Sequence, residues 1–138
     1  TNLKPKTVVI LAGINDIAEN TGPMTLEETA GNIFSMAQLA KAANIKVIIS
    51  SVLPANTFPW RPEIKPAEKV IELNILLKQY CEENRITYLD YYSHMVDDKK
   101  GLDSRYGDDG VHPNLAGYKV MEGLVENAIK SALEKNGK

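Results

Sequence analysis

Short runs of consecutive apolar residues alternate along this chain with longer stretches in which apolar residues return every three or four positions. The short runs are Thr7-Val8-Val9-Ile10-Leu11, Lys46-Val47-Ile48-Ile49-Ser50-Ser51-Val52 and Ile86-Thr87-Tyr88-Leu89. Unbroken β-branched runs of this kind predict parallel strands covered on both faces. The longer stretches predict helices. Thr25-Leu26-Glu27-Glu28 fits a capping box, in which the Thr25 hydroxyl and the Glu28 carboxylate each satisfy a free backbone N–H. Leu26, Ala30, Ile33, Ala37 and Ala40 follow at helical spacing, and Asn44 suits a left-handed stop. Pro66 can open a second helix, with Val70, Leu73, Leu77 and Tyr80 as its buried stripe. A last helix starts near Asn114 and carries Tyr118, Met121, Val125, Ala128 and Ala132. Lys130 and Lys135 sit near its end, where the helix dipole favours positive charge.

The predicted order is β-α-β-α-β-loop-α without internal repeats. That is an α/β layer built on a parallel sheet with right-handed crossovers. Three strands make a small sheet, and the chain opens almost directly on a buried-type strand. Both features predict that a segment upstream completes the domain.

Composition narrows the function without naming it. The 138 residues suit one domain able to bury its own core. With 43% hydrophobic and 25% charged residues and a formal charge of −2, no basic patch points to nucleic acid. Cys81 is the single cysteine, so no intramolecular disulfide forms, and its neighbours Leu77, Tyr80 and Ile86 predict a buried, inert thiol. The apolar runs are too short for a membrane span. Thr1 to Thr7 is polar, with Pro5 and two lysines, and is no signal peptide. A mature secreted or periplasmic protein would lack one too, so the compartment stays open.

Open α/β sheets bind ligands beyond the carboxyl ends of their strands. That rule selects three loops: Ala12 to Asp16, Leu53 to Pro66, and Asp90 to Pro113. In the third, Asp109-Gly110-Val111-His112-Pro113 stands out. An aspartate three residues before a histidine can curl back so that its carboxylate accepts from imidazole Nδ1, leaving Nε2 as a base. A solvent-exposed Asp-Gly turn with an incidental histidine is the plainer alternative. In the first loop, Gly13 and Asn15 follow the strand, and an asparagine amide can donate to a developing oxyanion; a simple strand-exit turn is the alternative, with Asp16 bracing the loop by hydrogen bonds. In the second loop, Trp60 and Arg61 either line an acyl or sugar pocket or form a lid over the core. His94 reads as a surface or helix-start residue. Asp97, Asp98, Asp103 and Asp108 fit no calcium loop and read as a solvated acidic stretch, so no metal is expected.

The paired motifs resemble those of the SGNH (GDSL-like) hydrolases. Gly13-Ile14-Asn15-Asp16 is similar to the family's third block. Asp109-Gly110-Val111-His112-Pro113 is similar to its last block, and Asn114-Leu115-Ala116-Gly117-Tyr118 continues the likeness. Ser50-Ser51-Val52-Leu53-Pro54 and Tyr88-Leu89-Asp90-Tyr91 fall in the right order between them. The resemblance implies a flavodoxin-like, three-layer fold, of which residues 1–138 would be the last three strands and their helices, one partial domain. It implies a serine esterase or lipase-like acylhydrolase that needs no cofactor. His112 would be the base, Asp109 its orienting partner and Asn15 an oxyanion donor. Gly13 would shape the turn presenting Asn15. Apart from the resemblance, Trp60 is the second-loop candidate for lining the substrate site.

One departure is large. The family's Gly-Asp-Ser block is absent, and so is the glycine of its second block. The serines at 35, 50, 51, 93, 104 and 131 do not occupy the expected strand-to-helix elbow, Ser51 being the only conceivable substitute. The resemblance therefore implies that the nucleophile lies upstream and that this chain alone is inactive. A non-catalytic ester- or carbohydrate-binding domain on the same fold is the alternative. A flavodoxin-like nucleotide binder is disfavoured, because no phosphate-cradling glycine loop is present. Expected partners are a small ester, an acylated carbohydrate or lipid, and the missing N-terminal segment. Without that segment the exposed first strand is expected to mediate self-association.

Overall fold

The computed structural model describes residues 5–20 and 22–134. Strands β1 (Thr7–Ile10), β2 (Lys46–Ser50) and β3 (Thr87–Leu89) form one parallel sheet in the order β1-β2-β3. Val8 lies opposite Val47 and Ile10 opposite Ile49, while Ile48 lies opposite Thr87 and Ser50 opposite Leu89. Three long helices cover the sheet: α2 (Leu26–Ala42), α3 (Ala67–Asn84) and α5 (Leu115–Glu134). Two short helices, α1 (Ile14–Ile17) and α4 (Tyr92–Met95), lie just beyond the ends of β1 and β3. The pattern alone did not predict them, since a single turn is too short to show periodicity.

The alternation of a strand sorts its side chains between two cores. Val47 and Ile49 of β2 point to a core shared with Ile33 and Ala37 of α2 and Val70, Leu73 and Leu77 of α3. Ile48 points the other way, to Leu89, Met95, Leu102 and Met121 beside α5. The result is the predicted three-layer α/β arrangement. Ile48, Ile49, Leu73 and Leu77 are fully buried, each contributing about 1.5–3 kcal/mol of apolar burial. Cys81 is buried as expected, and burial pushes its thiol up to about 12. Such a thiol stays protonated and unreactive.

The caps follow the sequence. Glu28 N–H donates to Thr25 Oγ1 and Thr25 N–H to Glu28 Oε1, both at 3.0 Å, completing the capping box. Asn44 adopts φ +62° just past α2. The strands end earlier than the apolar runs: Leu11, Ser51 and Val52 lie outside them, and β3 begins one residue after Ile86. Tyr118 is also not on the inner face of α5; it is 56% exposed. Gly117 holds the inward position there, where a Cβ would lie 2.4 Å from the Tyr106 carbonyl oxygen, so no side chain fits. The buried stripe of α5 therefore runs from Gly117 through Met121 to Ala132.

All four residues of β1 are only half-buried, whereas four of five in β2 are buried. Among the described residues β1 pairs only with β2, so its outer edge has no strand beside it. No helix among the described residues is long and apolar enough to cross a membrane.

Candidate active site

The three parallel strands release their following loops on one side of the sheet, and each loop is pinned by a different device. After β1 the chain turns at Gly13, whose φ of +118° is one that residues with a Cβ rarely adopt. Space forbids a side chain as well, because a Cβ there would meet Leu73 Cδ2 at 2.9 Å and Val52 Cγ2 at 3.3 Å. The tight turn lets α1 start at once, and Asn15 sits exposed in that helix. The Asn15 Oδ1 atom accepts from Asn20 Nδ2 at 3.1 Å. That bond leaves the Asn15 Nδ2 group as the free donor end. Asp16 uses only its backbone carbonyl, which accepts from Glu19 N–H; its side chain makes no hydrogen bond among those described, against the expectation of a brace.

After β2 the chain is held by Asn74 of α3. Val52 N–H donates to Asn74 Oδ1 at 2.7 Å, and Asn74 Nδ2 donates to the Val52 carbonyl at 3.1 Å. This two-point clamp occupies both backbone groups of Val52 where strand pairing has stopped. The loop then runs through buried Phe58 to Trp60, whose ring centroids are 5.2 Å apart. Arg61 Nη1 donates to the Ala18 carbonyl at 3.2 Å and ties this loop to the end of α1.

After β3 the long loop ends in a compact turn built by Asp109. Its Oδ1 accepts from the backbone N–H of Val111 at 2.8 Å and of His112 at 2.7 Å, while Oδ2 meets His112 Nδ1 at 2.7 Å. The backbone N–H and then the ring of His112, with Val111 N–H adding to them, hold the Asp109 carboxyl down from 3.8 to about 2. Asp109 is therefore an anion at any ordinary pH, and an anion beside Nδ1 keeps the proton on that nitrogen. The other ring nitrogen, Nε2, is left with its lone pair. The His112 side chain is 69% exposed and no described group bonds Nε2. A His–Asp pair in this geometry can take and return a proton.

The loops meet at one cleft of 140 Å³, lined by Asn15 from the first, Leu53 and Trp60 from the second, and Val111 and His112 from the third. The Trp60 ring stacks on that of His112, centroids 6.0 Å apart and planes 29° from parallel. Trp60, open between pocket and lid from sequence, thus lines the cleft while remaining 48% exposed. Gly13 does not line it and acts through the turn beneath Asn15.

The remaining candidates fall elsewhere. Ser51 is buried, and its hydroxyl accepts from Tyr92 N–H at 2.9 Å, a structural bond. Ser50 is buried as well and donates to the Ser51 carbonyl. Among the described residues, no serine, threonine or cysteine lines the cleft. His94 lies exposed on α4 and does not reach it. Asp97 and Asp103 cap local turns through the N–H groups of Lys99, Gly101 and Arg105, and no metal-holding cluster occurs among the described residues. Asn20 and Asn74 escaped the sequence reading. Asn74 left a trace, being a polar residue four positions after Val70 on the buried face of its helix; Asn20 left none.

Comparison with known proteins agrees with the fold. A family model described as GDSL-like lipase/acylhydrolase matches residues 1–120. The crystal structure of a GDSL-like lipase from Bacteroides thetaiotaomicron is 52% identical and superposes with a TM-score of 0.90 over 93% of this chain and 63% of that one. A Bacteroides fragilis structure is 51% identical, with a TM-score of 0.91 over 94% and 63%. The chain thus spans less than two thirds of the length of both. A mutant of an acetylxylan esterase from Geobacillus stearothermophilus, 19% identical, shares the fold with a TM-score of 0.70 over 91% and 59%. No curated protein matches the chain.

Proposed function

The chain belongs to the GDSL-like lipase/acylhydrolase family, and on that premise we propose that it is the Asp–His half of a carboxylic ester hydrolase. The observation that carries this reading is the shared cleft: an asparagine amide with its donor end free and a histidine oriented by a carboxylate line the same small space. A nucleophilic serine supplied by a segment outside these 138 residues would complete it.

In the proposed reaction His112 Nε2 takes the serine proton as Oγ attacks the ester carbonyl carbon. The carbonyl oxygen becomes an oxyanion and receives a hydrogen bond from Asn15 Nδ2. Such a donor is worth about 3–4 kcal/mol in the transition state. The imidazolium beside the Asp109 anion then gives its proton to the leaving alcohol, and an acyl-enzyme remains. Water repeats the sequence with His112 again as base, releasing the acid and the serine. No step calls for a cofactor.

One observation favours a second reading, a domain that binds esters or glycans without cleaving them: among the described residues the cleft is lined by no nucleophile. The two readings differ in a simple assay on the protein carrying its upstream segment. The enzyme reading expects p-nitrophenyl acetate hydrolysis, one serine labelled by a fluorophosphonate, and loss of both turnover and labelling in His112→Ala. Residues 1–138 alone are expected to show no turnover above the His112→Ala background. Absence of labelling and turnover in the longer protein would leave the binding reading.

A further inference from the structure

We propose that Asn20 is a positioning residue for the oxyanion donor: the turn that ends α1 brings it back onto Asn15 and holds that amide with its donor end outward. The inference rests on the esterase reading and adds a residue outside both sequence motifs. Its first support is the backbone. Helix α1 ends at Ile17, Ala18 caps it, and Glu19 reverses the chain at φ +57°. Glu19 N–H then donates to the Asp16 carbonyl at 3.0 Å and Asn20 N–H to the Asn15 carbonyl at 3.1 Å. This nested pair of bonds is a common helix stop, and it sets the side chain after the left-handed residue against the one five places earlier.

The second support is what those two side chains are. Stops of this kind frequently join two apolar side chains, whereas here two amides meet. Asn20 Nδ2 donates to Asn15 Oδ1 at 3.1 Å. An asparagine without a partner can turn either its oxygen or its nitrogen outward, and only the nitrogen can donate to an oxyanion. With Oδ1 engaged by Asn20, Nδ2 is the end left for the cleft that Asn15 lines. Two asparagines can exchange roles, but a forming oxyanion favours the sense found here. A donor set in place before reaction costs no reorganisation when the charge develops.

The third support is that the device is local. Its bonds all lie within residues 15–20. Ala18 at the cap is buried, and its carbonyl accepts from Arg61 Nη1 at 3.2 Å, which fixes the end of the helix. The amide pair therefore depends on no group outside the described residues.

The test uses the protein with its upstream segment. Asn20→Asp keeps the size of the side chain but leaves only acceptors facing Asn15, which must turn Nδ2 inward. Asn20→Ala merely releases Asn15. The isosteric change is therefore expected to be the worse one. In p-nitrophenyl acetate hydrolysis kcat should fall about three- to tenfold in Asn20→Ala and about 10²-fold in Asn20→Asp, with KM little changed. Glu19→Val, which disfavours the left-handed turn while keeping both asparagines, should resemble Asn20→Ala. In an Asn15→Ala background, adding Asn20→Asp should change kcat by less than about threefold, whereas a charge acting directly on the oxyanion would still lower it. A second readout needs no turnover. The Asn15 side-chain NH₂ signals in a proton–nitrogen correlation spectrum, identified by their loss in Asn15→Ala, should move in Asn20→Asp, one proton going downfield as it bonds the carboxylate. Full activity in Asn20→Ala, an Asn20→Asp loss no greater than that of Asn20→Ala, or one that persists in full without Asn15 would each overturn the positioning role and leave the esterase standing. Unmoved Asn15 signals would overturn it whatever the kinetics. Moved signals in a protein that hydrolyses no ester would keep the amide pairing and remove the esterase.

Discussion

Replacing Asp109 by asparagine separates what this carboxylate does for its loop from what it does for His112. Oδ1 accepts two backbone N–H bonds, from Val111 at 2.8 Å and His112 at 2.7 Å, while Oδ2 faces the ring Nδ1 at 2.7 Å. An asparagine that keeps Oδ1 in place preserves both backbone bonds, so the turn survives. It then presents an NH₂ donor to Nδ1. The ring answers by moving its proton to Nε2, and the lone pair that would accept the serine proton is gone. The opposite amide orientation would restore the tautomer but set a donor against two backbone donors. Losing two bonds at about 0.5–1.5 kcal/mol each disfavours it by about 1–3 kcal/mol. In buried Ser-His-Asp sites the wrong tautomer lowers kcat by about 10⁴, equivalent to about 5 kcal/mol. Here the pair is open to water, with side-chain exposures of 69% and 46%, and water weakens the bias. The expected loss for Asp109→Asn is therefore about 10²–10⁴ in kcat, with thermal stability within about 1 kcal/mol of the parent. The assay is p-nitrophenyl acetate turnover by the protein with its serine-bearing segment, with a melting curve on the same sample. Activity within tenfold of the parent at an unchanged melting point would refute the argument and reduce Asp109 to a turn former.

Four further outcomes follow from the same geometry. The Asp109 carboxyl is depressed from 3.8 to about 2, so its stabilising bonds are intact above about pH 4 and are lost as pH falls through 2; acid titration should show Asp109→Asn losing less stability over that window than the parent, and parallel curves would contradict the assignment. Asn15→Ala should cost about 10²–10³ in kcat with little change in KM, and Asn20→Ala a smaller part of it by freeing Asn15 to rotate; an inert Asn15→Ala would remove the oxyanion role. Gly13→Ala should destabilise by about 2–4 kcal/mol, because strain at φ +118° adds to a 2.9 Å contact with Leu73, whereas Gly110→Ala at φ +81° in open space should cost only about 1–2 kcal/mol; equal losses in urea unfolding would show that packing under Gly13 is unimportant. Residues 1–138 alone should self-associate through the outer edge of β1, and a stable monomer by light scattering at high concentration would show that the edge is protected in another way.

The parts of the molecule that were legible in the sequence are those encoded over a few consecutive residues. Thr25 and Glu28 announce their helix because each cap reaches only three residues. Asp109 and His112 announce their pair for the same reason: the carboxylate folds back over one turn. The strands were legible because parallel strands are apolar throughout, although Leu11 and Val52 extend the apolar run past the end of pairing. Tyr118 misled because its neighbour Gly117 takes the inward position, and only the distance to the Tyr106 carbonyl, contributed by another loop, reveals that. Trp60 remained open because its partner His112 lies far along the chain, and no local rule connects the two.

The loops that meet at the cleft are not equally independent. The third is held first by its own turn, since Asp109 bonds residues no more than three positions away, with Val111 packed in the main core. The first and second both rest on α3, through adjacent residues of that helix. Leu73 fills the space under Gly13, and Asn74 holds the two backbone groups of Val52. Val52 in turn borders the space that a Gly13 side chain would need, so the two supports meet there. A disturbance at Leu73 or Asn74 should therefore move Asn15 and Leu53 together while leaving the Asp109–His112 pair intact. The asparagine donor and the histidine base are held by separate structural units, and the relative position of the two depends on α3 packing against the sheet. An apolar helix face spaced at Val70, Leu73 and Leu77 is thus the part of the core on which the geometry of the cleft depends, although none of the three touches it.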